Sequence, residues 1–110
     1  MKKLTFNPLE MMLLHLLQEK PRYGYEMMEQ IRQRSGDTFL LQAGTLYPVL
    51  HGLEAKGCIT SQEQIVEQGR ARRFYSITET GLKQLALQKN QWDAFRRAVE
   101  RTMEEWEMKL

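Results

Sequence analysis

One cysteine, Cys58, and two histidines, His15 and His51, are all the thiol and imidazole side chains that 110 residues supply. A lone thiol closes no internal disulfide and suits a reducing compartment, so the expectation is a cytoplasmic protein. So few Cys and His side chains exclude a Cys/His zinc site, and no metal or other cofactor is expected. Long apolar runs are missing too. The stretch MKKLTFNPLEMMLLHLLQ has the outline of a leader, but Glu10 and His15 break it and no small-residue cleavage site follows. It is read as a helix of the fold, and no segment is apolar and long enough to span a membrane. Neither sign of charge dominates, since 16 Lys and Arg face 14 Asp and Glu, for a net charge of +2. Partners must therefore be argued from where the charges stand. There is no nucleophile–base set, no paired acids, no Gly-rich phosphate loop and no metal spacing, which argues against an enzyme. What is present is 42% hydrophobic and 27% charged residues, a globular composition sufficient for one core.

Asn7-Pro8-Leu9-Glu10 reads as a helix start, with Asn7 capping, Pro8 in the first position and Glu10 placed to reach back as a capping-box acid. Leu9, Met12, Leu13, Leu16 and Leu17 form one apolar stripe. Met11 and Leu14, with His15 beside them, form a second face that needs a second partner. Lys20-Pro21 ends the helix. A second helix is expected from Gly24 to Ser35, with Met27, Met28 and Ile31 inward and Gly36 as its stop. A third carries Leu46, Val49, Leu50 and Leu53 inward and closes at Gly57. Pro48 has no amide proton, which places the start of this helix at about Gly44 or Thr45, with Thr45 the candidate cap. CITSQEQIV and RRFYSIT flank a turn glycine and read as a β-hairpin with a basic tip. Thr78 then caps a long last helix. In it Leu85, Trp92, Val99 and Trp106 recur every seven residues, with Leu82, Met103 and Leu110 at companion positions. That spacing predicts a coiled-coil seam more than a face packed on its own domain.

Three helices followed by a hairpin is the order of a winged helix-turn-helix, a mainly α fold with a small β-hairpin (α+β), here extended by a long C-terminal helix. The expected organisation is a DNA-binding domain over 1–78 and a dimerisation helix over 79–110. The sparse front of the third helix then has a reason, because free backbone N–H groups and small side chains let an anion or a base edge come close.

The chain resembles the PadR family of bacterial transcriptional regulators in YGYEMMEQI (23–31), in GTLYPVLHGLEAKGCI (44–59) and in GRARRFYSITETG (69–81). These segments look like the family's Gly-Tyr-Glu helix start, its Gly-Thr-Leu-Tyr-Pro segment with Leu-Glu and Gly following, and its wing. The resemblance implies a homodimer on a pseudo-palindromic operator in double-stranded DNA, usually a repressor, of the short branch with one C-terminal helix. The chain departs from the pattern at His51 and Gly52, where relatives often carry basic residues, and at Ala71, where proline is common. Gly52 also weakens its helix by roughly 1 kcal/mol relative to alanine, and nothing in the sequence explains it.

Candidate DNA-contacting residues are Tyr23, Tyr25, Gln42, Gly44, Thr45, Tyr47, Pro48, Arg70, Arg72 and Arg73. The arginine cluster fits phosphate or minor-groove contact, or else a solvated tip, with Arg73 nearest to a structural role. Tyr25 and Tyr47 stand where the family's tyrosines face the DNA backbone, or are half-buried aromatics. Thr45 can cap, contact DNA, or both. The dimer seam is assigned to Leu85, Trp92, Val99, Met103 and Trp106. Trp92 is either dimer core or a platform for a planar aromatic small molecule, because some short PadR-like proteins stack flat drugs on such a tryptophan between subunits. Met11, His15, Phe95 and Arg96 would complete that site. Cys58 is read as a small buried residue. A winged helix that contacts only other proteins is the alternative to a DNA-binding regulator.

Overall fold

The computed structural model describes residues 7–108, with side chains described to Glu104. The side chain of Trp106 and all of Leu110 lie outside the described residues. Helix α1 spans Pro8–Glu19, and Asn7 caps it by accepting from the Leu9 and Glu10 amides at 3.1 and 3.2 Å. Glu10 does not return the bond to the Asn7 amide. Gln88, from the last helix, accepts that N–H at 2.6 Å, and Glu10 pairs with Lys56 at 3.2 Å. A long-range acceptor has replaced the local one that a capping box would supply. Leu13, Leu14, Leu16 and Leu17 are all buried, so both apolar faces of α1 find partners within the chain.

A two-residue strand, β1 (Arg22–Tyr23), precedes α2 (Gly24–Arg34). This strand has no signature in the sequence and is made by its pairing with a later one. After α2, Gly36 takes φ 59°, while its own amide bonds to the Gln33 carbonyl and that of Asp37 to Arg32. This is the glycine stop expected there. Helix α3 spans Ala43–Ala55, earlier than the sequence suggests. Gln42 occupies the cap position without a side-chain bond, Thr45 is inside the helix, and Pro48 is the sixth helical residue rather than part of the first turn. The proline withholds one hydrogen bond from the Gly44 carbonyl. Gly44 is exposed, so water can satisfy that oxygen, and burial of Leu46, Leu50 and Leu53 outweighs the loss. Gly57 closes α3 at φ 76°, with the Cys58 amide bonding to the Leu53 carbonyl at 2.9 Å.

Strands β2 (Ile59–Ile65) and β3 (Ala71–Ile77) form the expected hairpin, and β1 pairs with the other edge of β3, giving the antiparallel order β1-β3-β2. Ile59 and Tyr75 anchor the hairpin base in the core, and Gln62–Ile65 run out into solvent. Helix α4 spans Glu79–Met108. Thr78 caps it, accepting from the Gly81 amide at 3.0 Å and donating to the Gly57 carbonyl at 2.6 Å. A β-carbon at Gly81 would collide with the Cys58 carbonyl, so α4 sits directly on the turn between α3 and β2 and only glycine fits there.

Leu85 corrects the seam reading. It is 2% exposed within its own chain, packed in the core with α1, α2, α3 and the sheet. The first part of α4 is thus a face on its own domain. A seven-residue series cannot separate that from a dimer face, because both bury one stripe of a helix. Trp92, Val99 and Met103 lie further along the same stripe and are 40%, 40% and 48% exposed.

Candidate nucleic-acid interface and a neighbouring groove

Helices α2 and α3 with the β2–β3 wing converge on one side of the molecule. There Tyr23, Gly24, Tyr25, Tyr47, Ala71, Arg72 and Arg73 line a shallow cleft of about 280 Å³. Close packing makes it. A β-carbon on Gly24 would lie 2.5 Å from the Tyr47 hydroxyl, so the absence of a side chain is what lets α3 bring Tyr47 against the start of α2. Tyr25 is 60% exposed beside it. On the outer sheet face the Arg72 guanidinium lies 4.4 Å from the centre of the Tyr23 ring, and Tyr23 meets Phe74 edge-on at 5.5 Å. This cation–π contact fixes Arg72 without neutralising it.

The three wing arginines differ. Arg70 stands at the tip, exposed, where its carbonyl accepts from the Val66 amide at 2.8 Å. Among the described residues neither Arg70 nor Arg72 has an acidic partner. Arg73 donates to Ser61 Oγ at 3.0 Å and reaches Glu63 at 3.5 Å, the structural position its depth in the strand suggests. Burial pushes the Tyr75 phenol up, and the nearby Tyr47 and Glu54 add to that shift. Gln42, Gly44, Thr45 and Pro48 are exposed at the front of α3 but do not line the cleft. A β-carbon on Gly52 would meet nothing within 4 Å, so no packing within the chain requires that glycine.

A larger groove of about 640 Å³ lies where α1, the C-terminal end of α2 and α4 meet. It brings Met11, His15 and Trp92 together, as the second face of α1 suggests. Arg34, Phe39, Lys89 and Asp93 also line it. Of these Phe39 had a legible signal, an aromatic in the α2–α3 loop with no periodic partner. Phe95 and Arg96 do not line it. The Phe95 ring is 6.2 Å from that of Trp92, while Arg96 bonds to Asp93 at 2.6 Å and Glu100 at 3.0 Å. Arg34 is held by both oxygens of Glu19, at 2.8 and 3.0 Å, and Arg22 donates to the same carboxylate at 2.7 Å. The Arg34 bond first, then Arg22, lowers the Glu19 carboxyl from 4.5 to about 2. Asp93 is lowered chiefly by its bond from Arg96. Lys89 has no ion pair among the described residues. Those residues also hold no cluster of three potential metal ligands, and no helix among them is long and apolar enough to cross a membrane.

Four helices and a three-stranded antiparallel sheet, with the second and third helices and the wing on one side, define a winged helix-turn-helix protein. Residues 13–87 match the transcriptional regulator PadR-like family, and the chain belongs to it. It is 33% identical over 96 residues to an uncharacterised protein of Lysinibacillus sphaericus, covering 87% of this chain and 88% of that one. A PadR family transcription regulator from Clostridium difficile shares 29% identity and a TM-score of 0.71, covering 91% of this chain and 98% of the other. The PadR protein of Bacillus subtilis, solved with operator DNA, aligns at TM-score 0.66 and 24% identity over 73% of this chain and 45% of its own. Members of this family are transcriptional regulators, not enzymes.

Proposed function

We propose that the chain is a homodimeric repressor that binds a pseudo-palindromic operator through α3 and the wing. One observation carries the reading: Tyr23, Tyr25, Tyr47, Arg72 and Arg73, from three separate segments, share one cleft beside the bare front of α3. The tyrosine hydroxyls and guanidinium groups suit phosphate oxygens, and the exposed backbone of the first turn of α3 allows close approach. The B. subtilis PadR–operator structure supports the same use of the fold. Nuclease protection of the DNA just upstream of the protein's own gene tests this. The expected result is a protected segment with two-fold symmetric halves whose centres lie about one helical turn apart. Binding indifferent to sequence and lost at moderate salt would overturn the operator reading.

The absence of Lys or Arg between Ala43 and Ala55 favours a second reading, a winged helix that contacts only proteins. Such a module would bind no duplex even at low salt, where a DNA-binding protein does.

The groove is proposed as the effector site. Trp92 and Phe39 offer ring faces, Met11 and Met12 an adaptable wall, and Lys89 a charge with no ion pair among the described residues, while Asp93 is held by Arg96 and Arg97. This lining favours neutral or anionic planar rings over cations. A stacked ring gains about 0.5–1.5 kcal/mol beyond the area it buries. To induce, it must prefer a dimer geometry that misplaces the recognition helices, since equal affinity for both states shifts nothing. Titrating planar dyes of each charge should quench tryptophan emission in the wild type and far less in Trp92→Ala, with Trp106 as the internal reference. Quenching that persists in the variant would make Trp92 an ordinary dimer-core residue.

A further inference from the structure

Glu54 is an oddity for a helix meant to meet phosphates. It belongs to the Leu-Glu pair of the α3 segment, it is exposed, and its charge is of the wrong sign for a DNA-facing surface. Its contacts suggest what it does. Ser61 Oγ donates to Glu54 Oε2 at 2.6 Å and accepts from Arg73 Nη1 at 3.0 Å. Arg73 Nη2 also lies 3.5 Å from Glu63, its cross-strand neighbour. One hydroxyl therefore joins a carboxylate on α3 to a guanidinium on β3.

The position of this chain of bonds matters. Ile59 pairs with Ile77 at the hairpin base, inside the core, and Ile65 pairs with Ala71 near the tip, where Ile65 is 81% exposed. Ser61 pairs with Tyr75 at the level where the hairpin leaves the core. Beyond it the hairpin has no core to lean on. Among the described residues, Ser61 to Glu54 is the one side-chain hydrogen bond between α3 and the strands of the wing. It is charge-assisted, and charge-assisted bonds are the stronger kind.

We propose that Glu54 and Ser61 are positioning residues for DNA binding: through Arg73 they fasten the wing at a fixed angle to the recognition helix. This rests on the DNA-binding reading above. A fastened wing presents Arg70 and Arg72 to the backbone while α3 is in the groove, and binding then carries a smaller ordering cost. A loose wing still reaches the DNA but must be ordered when it does.

Electrostatics alone predicts the opposite sign for one variant, which makes the test sharp. Removing the Glu54 charge should tighten DNA binding if the carboxylate merely sits near phosphates. If it fastens the wing, Glu54→Ala should weaken binding by about three- to tenfold, the worth of an ordinary hydrogen bond, since solvent at the exposed Glu54 screens away the extra strength of the charge. Fluorescence anisotropy with a labelled duplex, well below the melting temperature, reads this out. Ser61→Ala should weaken binding equally, and the double variant should lose no more than the larger single, because both break one chain of bonds. The salt slope should stay that of the wild type, since every phosphate partner is still in place. Ser61→Thr keeps the hydroxyl and should bind as tightly as wild type, and Glu54→Gln keeps a weaker, neutral acceptor and should fall between wild type and Glu54→Ala, an order that a general loss of stability would not produce. Unchanged or tighter binding by Glu54→Ala while the wild type binds DNA overturns this proposal alone. Wild-type protein that binds no duplex at low salt overturns the DNA-binding reading, and this proposal with it.

Discussion

A chain ending at Asn90 is expected to be monomeric in solution, whereas the full chain is expected to be a dimer. Leu85, Gln88, Trp92, Phe95, Val99 and Met103 follow one another along α4 at steps of three and four residues. Leu85 and Gln88 are each 2% exposed and are covered by the chain's own core. From Trp92 onward the same stripe is only partly covered, with Trp92, Val99 and Met103 40%, 40% and 48% exposed. Fully burying an apolar side chain of this size stabilises by about 1.5–3 kcal/mol, so several per protomer suffice to drive association. Such a stripe on a helix is covered by a second copy of itself more readily than by anything else the chain offers. The cut leaves the core of α1–α3 and the sheet intact, along with Leu85 and Gln88, so loss of the dimer should not mean loss of the fold. Light scattering after size exclusion decides it, with far-ultraviolet circular dichroism as the check on folding. A dimeric truncated chain would place the interface elsewhere, and a monomeric full chain would remove the seam altogether.

Replacing Arg70 and Arg72 with alanine is expected to weaken binding to every duplex alike. It should also flatten the dependence of log affinity on log salt by about one to two units, close to one for each phosphate no longer neutralised. Arg70 is exposed at the wing tip, and Arg72 is oriented by the Tyr23 ring at 4.4 Å. Neither is neutralised by an acidic partner among the described residues. Arg73 is tied to Ser61 and Glu63, so the change in slope on removing it should be smaller than for either neighbour. If the slope of the double variant matches that of the wild type, the wing does not touch DNA.

Much of the fold could be read from the sequence because its boundaries are marked by local chemistry. Asn7-Pro8, Gly36, Gly57 and Thr78 each act within a few residues of themselves, and each marks a boundary in the structure. What could not be read depends on residues far apart. Strand β1 is two residues long and exists through its pairing with β3, so nothing in Arg22-Tyr23 announces it. Leu85 follows the same seven-residue spacing as Val99, yet one is buried within the chain and the other is exposed. Pro48 hides the start of α3, because the rule against interior proline is a finite cost, one lost hydrogen bond and a ring clash with the preceding turn, and a buried stripe of leucines outweighs it. The candidate site divides along the same line. Tyr23, Tyr25, Tyr47, Arg72 and Arg73 do come together, because motif positions fix their place on the fold. The links among Glu54, Ser61 and Arg73 depend on the strand register and on how the wing packs against α3, and neither is legible residue by residue.

Thirty residues at 1.5 Å each make α4 about 45 Å long, most of the 62 Å extent of the molecule. Its beginning is clamped by the capping contacts of Thr78 and by Gln88, which accepts the amide of Asn7 at the head of α1. The remainder is a lever arm. A tilt of about 5° over that length moves one end relative to the other by about 4 Å, slightly more than the ~3.4 Å rise of one base pair. In the proposed dimer a tilt of that size would therefore carry each wing and recognition helix about one base pair out of step with its half-site. In such a dimer the length of the last helix would set the gain, and the groove beside Trp92 would lie close to the fulcrum.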